Sequence, residues 1–195
     1  MNANETTTLQ KMLFLYKFIR TPKAIGSVTP SSRYLANKMV AAAQWDEIHS
    51  VAELGAGTGV ITQAIHRSLK NDTKVMLFER DSHLRDQLEQ QHPGFTTHSD
   101  AKNIHAVVRK QGLEHVDCII SGLPFANFPQ SFRDDLMEEI VKSLKPNGLF
   151  IAFQYTLQMK KQLSQHFDIE AIQFVMLNVP PAFVYVCRKK QSSTN

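Results

Sequence analysis

The sequence predicts an α/β fold: a mostly parallel sheet of seven strands, helices on both faces and an antiparallel hairpin at one edge. Three observations predict it. Apolar runs of strand length alternate with helical segments from His49 to His166, and strands separated by helices imply parallel pairing. The first strand runs straight into Gly55-Ala56-Gly57-Thr58-Gly59 and then a helix. The last two strands, Ile169–Leu177 and Phe183–Arg188, flank Pro180-Pro181 with no helix between them, which suits an antiparallel edge pair.

Leu9–Arg20 reads as a helix, with Leu9, Met12, Leu13, Tyr16 and Ile19 on one face. Phe14 and Phe18 point the other way, among Lys11, Lys17 and Gln10. Thr29 is placed to cap a second helix, with Pro30 at its first position and the body running through Tyr34, Leu35 and Met39 to Ala43. Residues 1–44 thus read as a helical extension ahead of a domain at 45–190. In that domain the strands are His49–Leu54, Lys74–Glu79, Phe95–Ser99, Val116–Ser121 and Leu149–Tyr155, before the edge pair. The helices are Val60–Leu69, Ser82–Gln91, His105–Gln111, Phe132–Leu144 and Met159–His166, and Pro146-Asn147-Gly148 is a turn.

The chain has 195 residues, enough for one α/β domain and too few for two. No apolar run approaches the roughly 20 residues that cross a bilayer, and no secretory leader is recognisable, so a cytoplasmic protein is expected. Cys118 and Cys187 each fall in a core strand and read as buried hydrophobes; no Cys/His cluster suggests a metal. Residues 1–40 carry Lys11, Lys17, Arg20, Lys23, Arg33 and Lys38 against Glu5 alone, which favours an anionic partner, either lipid headgroups or nucleic acid.

The chemistry centres on Glu53-Leu54-Gly55-Ala56-Gly57-Thr58-Gly59. Glycines let the chain turn sharply and let a ligand approach the backbone. Dinucleotide sites read G-x-G-x-x-G; here the third glycine comes one residue early, and an acid stands two positions before the first. Glu79 closes the second strand 20 residues after Gly59, where a carboxylate can accept hydrogen bonds from both hydroxyls of a ribose. This arrangement resembles motif I of the class I methyltransferases, whose fold is Rossmann-like and whose cofactor is S-adenosylmethionine (S-adenosyl-L-methionine, AdoMet). The resemblance implies that Glu53 lies near the cofactor ammonium and that the backbone of Gly55, Ala56 and Gly57 runs beside the cofactor, with Thr58 and Gly59 completing the loop. It implies an adenine contact from Asp100 with Ala101 after the third strand, and ribose contacts from Glu79 with Arg80.

Ser121-Gly122-Leu123-Pro124-Phe125 follows the fourth strand, at the carboxyl edge where open α/β sheets bind ligands. Ser121 would face the transferable methyl group, and Gly122, Leu123, Pro124 and Phe125 would line the acceptor side. Methyltransferases acting on nucleobase amines usually carry Asn or Asp at the first position; Ser121 lacks that amide, which makes nucleic acid the less favoured partner. The chain is similar to bacterial phospholipid N-methyltransferases, which methylate phosphatidylethanolamine. The similarity runs through Phe18-Ile19-Arg20, Ile25–Ala36, Glu53–Gly59, Ser121–Pro124 and Asn178-Val179-Pro180-Pro181-Ala182. That family tends toward Phe-Thr-Tyr-Gly-Pro after the fifth strand, where this chain reads Phe153-Gln154-Tyr155-Thr156-Leu157.

The resemblance implies an amine acceptor on a membrane phospholipid, with residues 9–23 lying on an anionic membrane surface at the inner face of the cell membrane. Tyr155 and Tyr34 are the candidates to touch the amine; no residue declares itself as a general base, and His98 and His105 read as surface residues. Two other acceptors stay open for the same core: an RNA adenine, as in ribosomal RNA dimethylases, or a small molecule. The sequence is silent on oligomeric state.

Overall fold

A computed structural model describes residues 31–70 and 72–191. The predicted helix at Leu9–Arg20, the cationic segment at 9–23 and the cap at Thr29 lie outside the described residues. Helix α1 spans Arg33–Val40, and its cap is Ser32, whose side chain accepts the Leu35 N–H. The helix therefore begins after Pro30. It also ends before the predicted Ala43, because the N–H groups of Ala42 and Ala43 bond back three residues, to Met39 and Val40, and tighten the chain into a turn.

The remaining elements follow in alternation. They are β1 (Ser50–Leu54), α2 (Val60–Ser68), β2 (Lys74–Phe78), α3 (Ser82–Gln91), β3 (Thr96–His98), α4 (Ile104–Lys110), β4 (Val116–Ser121), α5 (Gln130–Ser143), β5 (Leu144–Gln154), α6 (Lys160–His166), β6 (Phe167–Val175) and β7 (Ala182–Lys189). The predicted turn at Pro146-Asn147-Gly148 lies inside β5 as an irregularity: the register against β4 jumps from Val116–Leu144 to Cys118–Leu149, and Asn147 takes a left-handed φ of 60°.

The sheet order is β3-β2-β1-β4-β5-β7-β6. Strands β1 to β5 pair in parallel, and β7 runs antiparallel to both β5 and β6. The chain steps outward from β1 to β3 and then crosses back to β4. The switch point is thus between the paired strands β1 and β4, at whose carboxyl ends open α/β sheets form their ligand crevice.

Alternate side chains of the strands enter two cores. Val51, Leu77, Ile120 and Ile151 pack with Leu35 and Met39 of α1, Ile61 and Ile65 of α2, and Leu88 of α3. Leu54, Phe78, Ile119 and Phe150 pack on the opposite face with Val108 of α4, Ile140 of α5 and Leu163 of α6. Each such side chain contributes roughly 1.5–3 kcal/mol by leaving water. The strands read as near-continuous apolar runs because both faces are covered. Cys118 and Cys187 are free and buried in these cores, and burial raises both thiols, Cys187 to about 12.

Candidate active site

Glu53 sits one residue from the end of β1 and points into the first core, toward α2. It is fully buried. Its Oε2 accepts a hydrogen bond of 2.7 Å from the Thr62 hydroxyl, while Oε1 is buried with no protein partner among the described residues. Loss of water, with a smaller push from the Glu79 charge, raises this carboxyl to about 8 against the pull of the Thr62 bond. A fully buried carboxylate oxygen without a donor is costly unless a ligand supplies one.

The loop after β1 is folded by its own backbone. The N–H groups of Gly55 and Ala56 both donate to the Phe78 carbonyl at the end of β2, at 2.8 and 3.1 Å. Gly55 and Gly57 have φ of +76° and +55°, the left-handed region that side chains resist. At Gly57 a Cβ would meet nothing within 4 Å, so open space lies directly against the backbone. Thr58 is exposed beside it, and Gly59 stands at the cap of α2.

Glu79 follows β2. Its Oε2 accepts the Gly57 N–H at 2.8 Å and its Oε1 accepts the Asp81 N–H at 2.9 Å. Each carboxylate oxygen keeps a lone pair for a further donor. The Arg85 guanidinium donates to the carbonyls of Glu79 and Arg80 at 2.9 and 2.7 Å, which fixes the turn that presents them; the Arg80 side chain is exposed. Asp100 is one strand further out. Its Oδ1 accepts the Lys102 N–H and caps the short turn Ala101–Asn103. Lys102 then reaches across to Asp135 at 2.7 Å and over the Phe132 ring at 5.2 Å, joining the loop after β3 to α5.

Across the switch point, Ser121 is fully buried, and its Oγ accepts the Leu123 N–H at 3.2 Å. Its hydroxyl shapes the loop. Gly122 donates to the Leu54 carbonyl at 2.8 Å, and a Cβ there would stand 2.9 Å from the Gly55 carbonyl oxygen. A Cβ at Gly55 would stand 2.8 Å from Leu123 Cδ2. The two loops are therefore in close contact. Pro124 is exposed, whereas Phe125 turns into the second core, 1% exposed, edge-on to Phe128 and Phe150. The ring expected on the acceptor side is instead held by core packing and offers no open face for stacking a base.

Tyr155, just past β5, is half-buried against the Phe153 ring, and burial raises its phenol while a bond with Asn178 opposes the rise. Tyr34 is exposed on the outer face of α1. The structure thus joins Glu53, the glycine loop, Glu79 and the Ser121 loop around one crevice, leaves Asp100 at its outer edge, and sets Tyr34 on the surface. His98 is half-buried on the Phe78 ring, and burial lowers its basicity.

The sequence assigns no role to three residues that hold the site. Thr62 orients Glu53 from the first turn of α2, where an acid in the strand nine residues earlier is the only sequence signal. Gln154, in the Thr position of the resembling family, donates to the Leu123 carbonyl at 2.9 Å and accepts from Ala126, so it clamps the Ser121 loop. Asn178 accepts the Ser32 N–H at 2.8 Å and donates to the Pro180 carbonyl at 2.6 Å, tying the start of α1 to the turn between β6 and β7.

An AdoMet site fits these residues. An ammonium would give Glu53 Oε1 the donor it lacks, Gly57 leaves the room a ligand needs against the backbone, and Glu79 can take a vicinal diol. Among the described residues no group of three or more His, Cys, Asp or Glu side chains could hold a metal ion.

The sequence matches the methyltransferase domain family over residues 51–148. It is 32% identical over 186 residues, 93% of this chain and 97% of the other, to an ornithine lipid N-methyltransferase of Singulisphaera acidiphila. The fold is shared with the N-methyltransferase NodS of Bradyrhizobium japonicum in complex with S-adenosylhomocysteine, at a TM-score of 0.67 and 10% identity over 80% of this chain and 86% of that one. It is shared also with the 1,6-didemethyltoxoflavin N1-methyltransferase of Burkholderia thailandensis, at a TM-score of 0.66 and 13% identity over 98% and 92%. The glycine loop between its two carboxylates, the seven-stranded sheet and these likenesses place the chain in one family: it belongs to the class I AdoMet-dependent methyltransferases.

Proposed function

We propose that this enzyme methylates the amine headgroup of a membrane lipid, of the phosphatidylethanolamine type or an ornithine lipid, at the cytoplasmic membrane surface. The supporting observation is the likeness to a lipid N-methyltransferase along nearly the whole of both chains. The site agrees with it. Its acceptor side is built from Ser121, Gln154, Tyr155 and Asn178, none of them charged at neutral pH.

When bound, AdoMet supplies a methyl group on a sulfonium, which an amine lone pair displaces in line to leave a neutral thioether, while the amine gives up a proton. The protein's part is to hold and to dehydrate. In this reading Glu53, kept by Thr62, binds the cofactor ammonium; Glu79 binds the ribose, with Arg80 beside it; Asp100 and Ala101 flank the adenine; and the backbone of Gly55–Gly59 lies along the cofactor. The Ser121–Phe125 loop, clamped by Gln154, fixes the line of approach. Tyr155 faces the amine, and Tyr34 meets the headgroup from α1. An amine without counter-charges in a dry site favours its neutral, nucleophilic form.

Residues 1–44 serve as the lipid-facing extension of the domain at 45–190, with residues 9–23 on the membrane. Among the described residues no helix is long and apolar enough to cross a membrane. Labelled AdoMet is incubated with the enzyme and vesicles of phosphatidylethanolamine or ornithine lipid, and in parallel with ribosomal RNA and an extract of water-soluble amines. Label in a lipid alone is expected; label only in RNA or in a water-soluble amine would overturn the reading.

A further inference from the structure

Strand β7 begins where β5 ends, since Gln154 pairs with Phe183, and β6 ends beside that start, since Val175 pairs with Ala182. The turn between β6 and β7 therefore projects from the same rim of the sheet as the glycine loop and the Ser121 loop. Its composition is unusual for a solvent-facing turn. No charged residue occurs from Ala171 to Cys187. Phe174, Met176, Leu177 and Val179 are 55%, 73%, 64% and 64% exposed, at the end of β6 and along the turn. Asn178, between them, is buried and holds the turn against the start of α1, so the apolar side chains are presented by a fastened loop.

Helix α1 brings the complementary charge. Its exposed face carries Arg33, Tyr34, Asn37 and Lys38, and no acid lies between Ser31 and Gln44. Apolar side chains flanked by cations fit the boundary between acyl chains and anionic headgroups.

We propose that the β6–β7 turn is a docking surface for an anionic lipid bilayer, with Met176, Leu177 and Val179 entering the acyl boundary and Arg33 and Lys38 at the headgroups. The inference rests on the lipid-acceptor reading for its purpose. Docked on this rim, the enzyme faces its crevice toward the headgroups, so that an amine reaches the Ser121 loop without its lipid leaving the bilayer.

Leu177→Cys gives an exposed thiol for an environment-sensitive fluorophore, because Cys118 and Cys187 are both buried. Adding vesicles of phosphatidylcholine with phosphatidylglycerol to the labelled full chain is expected to shift its emission to the blue, and bromine on the acyl chains to quench it. The double variant Met176→Glu with Leu177→Glu should lose about tenfold or more in vesicle affinity while binding AdoMet as the parent does. A label that stays in water on vesicles which carry the protein down would overturn the proposal. So would a label shielded before vesicles are added, with a doubled mass in sedimentation. Undiminished methylation of vesicle lipid by the double variant would sink the docking surface and leave the acceptor reading intact. A normally inserting label with no lipid methylated would support docking and sink the acceptor.

Discussion

At the ends of β1 and β2 the rim of the sheet carries carboxylates, Glu53 and Glu79, aimed and held by a hydroxyl and by backbone N–H groups. At the ends of β4 and β5, and in the turn after β6, it carries a hydroxyl and amides, Ser121, Gln154 and Asn178, each engaged in holding a loop. In the proposed function the difference follows from what each half would handle. A cofactor with an ammonium and a diol suits acids. An amine that must shed its proton before it reacts is better met by groups that neither charge nor hydrate it. The halves meet through Gly55 and Gly122: a Cβ at Gly122 would press on the Gly55 carbonyl, and one at Gly55, already in the left-handed region, would press on the Leu123 side chain.

The strongest way to break this comparison is to neutralise Glu53. Glu53→Gln keeps the shape and the Thr62 partner but removes the charge, and AdoMet affinity should fall about 100-fold by calorimetry, roughly 2.7 kcal/mol. The same residue predicts a pH dependence. In the cofactor-free protein its carboxyl is raised to about 8, above its ordinary 4.5, so between those values the folded chain holds a proton that the unfolded chain does not. That contribution to stability is complete below the ordinary value and is lost as the pH rises through the folded one. Thermal unfolding should show it in the parent and not in Glu53→Gln, and AdoMet binding near neutrality should release a proton into the buffer. A Gln variant that binds AdoMet like the parent would end the division into a charged and an uncharged half.

The contact between the halves comes next. Gly122→Ala puts a Cβ 2.9 Å from the Gly55 carbonyl oxygen, and backbone has to move. A loss of about 1–3 kcal/mol in denaturant unfolding is expected, together with weaker AdoMet binding, because the displaced carbonyl belongs to the cofactor loop. Gly57→Ala makes the contrast. Its Cβ meets no protein atom within 4 Å, so stability should fall by only about 1 kcal/mol for the left-handed backbone, while AdoMet loses the space it occupies.

On the acceptor half, Asn178→Ala leaves the Ser32 N–H and the Pro180 carbonyl without their partner. The expected cost is about 1–3 kcal/mol, read as a lower Tm. AdoMet affinity should hold, and KM for the lipid should rise as the apolar turn loosens. Asn178→Asp keeps the acceptor for Ser32 and should recover part of the loss.

The cofactor half is legible in the sequence because its chemistry is local: an acid, three glycines and a second acid fall at fixed distances from strand ends, and periodicity places those ends within one or two residues. The acceptor half is legible only as segments. Asn178 and Ser32 are 146 positions apart and Gln154 and Leu123 are 31 apart, and no spacing rule pairs such residues. Phe125 misleads for a related reason. A Pro-aromatic step after β4 looks like a pocket wall, but a short 3-10 turn at Phe125–Asn127 swings the ring under the sheet. The start of α1 misleads in sequence because Thr29 before Pro30 reads as the cap, whereas the Leu35 N–H donates to the Ser32 hydroxyl and makes Ser32 the cap of Arg33–Val40.

The smallest expected effect comes from a pair away from both halves, and it isolates the Glu53 linkage. His92, at the end of α3, meets His66 of α2 with their Nδ1 atoms 3.2 Å apart and stacks on Phe95. One nitrogen donates and the other accepts, so a proton on both removes the acceptor. Burial first, and His66 second, lower the basicity of His92. A depressed histidine contributes stability above its ordinary value of 6.5, and that contribution is lost as the pH falls through the folded one, the reverse of Glu53. Relative to the parent, His92→Phe, which keeps the stack on Phe95, should gain about 1–2 °C in Tm on going from pH 7 to pH 5, a difference from which the opposing Glu53 linkage, common to both, cancels. Because the pair lies outside the crevice, AdoMet affinity should be the same in that variant as in the parent at both pH values. If it shifts there, part of the pH dependence assigned to Glu53 belongs to the packing of α2 on α3, and the cofactor half is coupled to its flank.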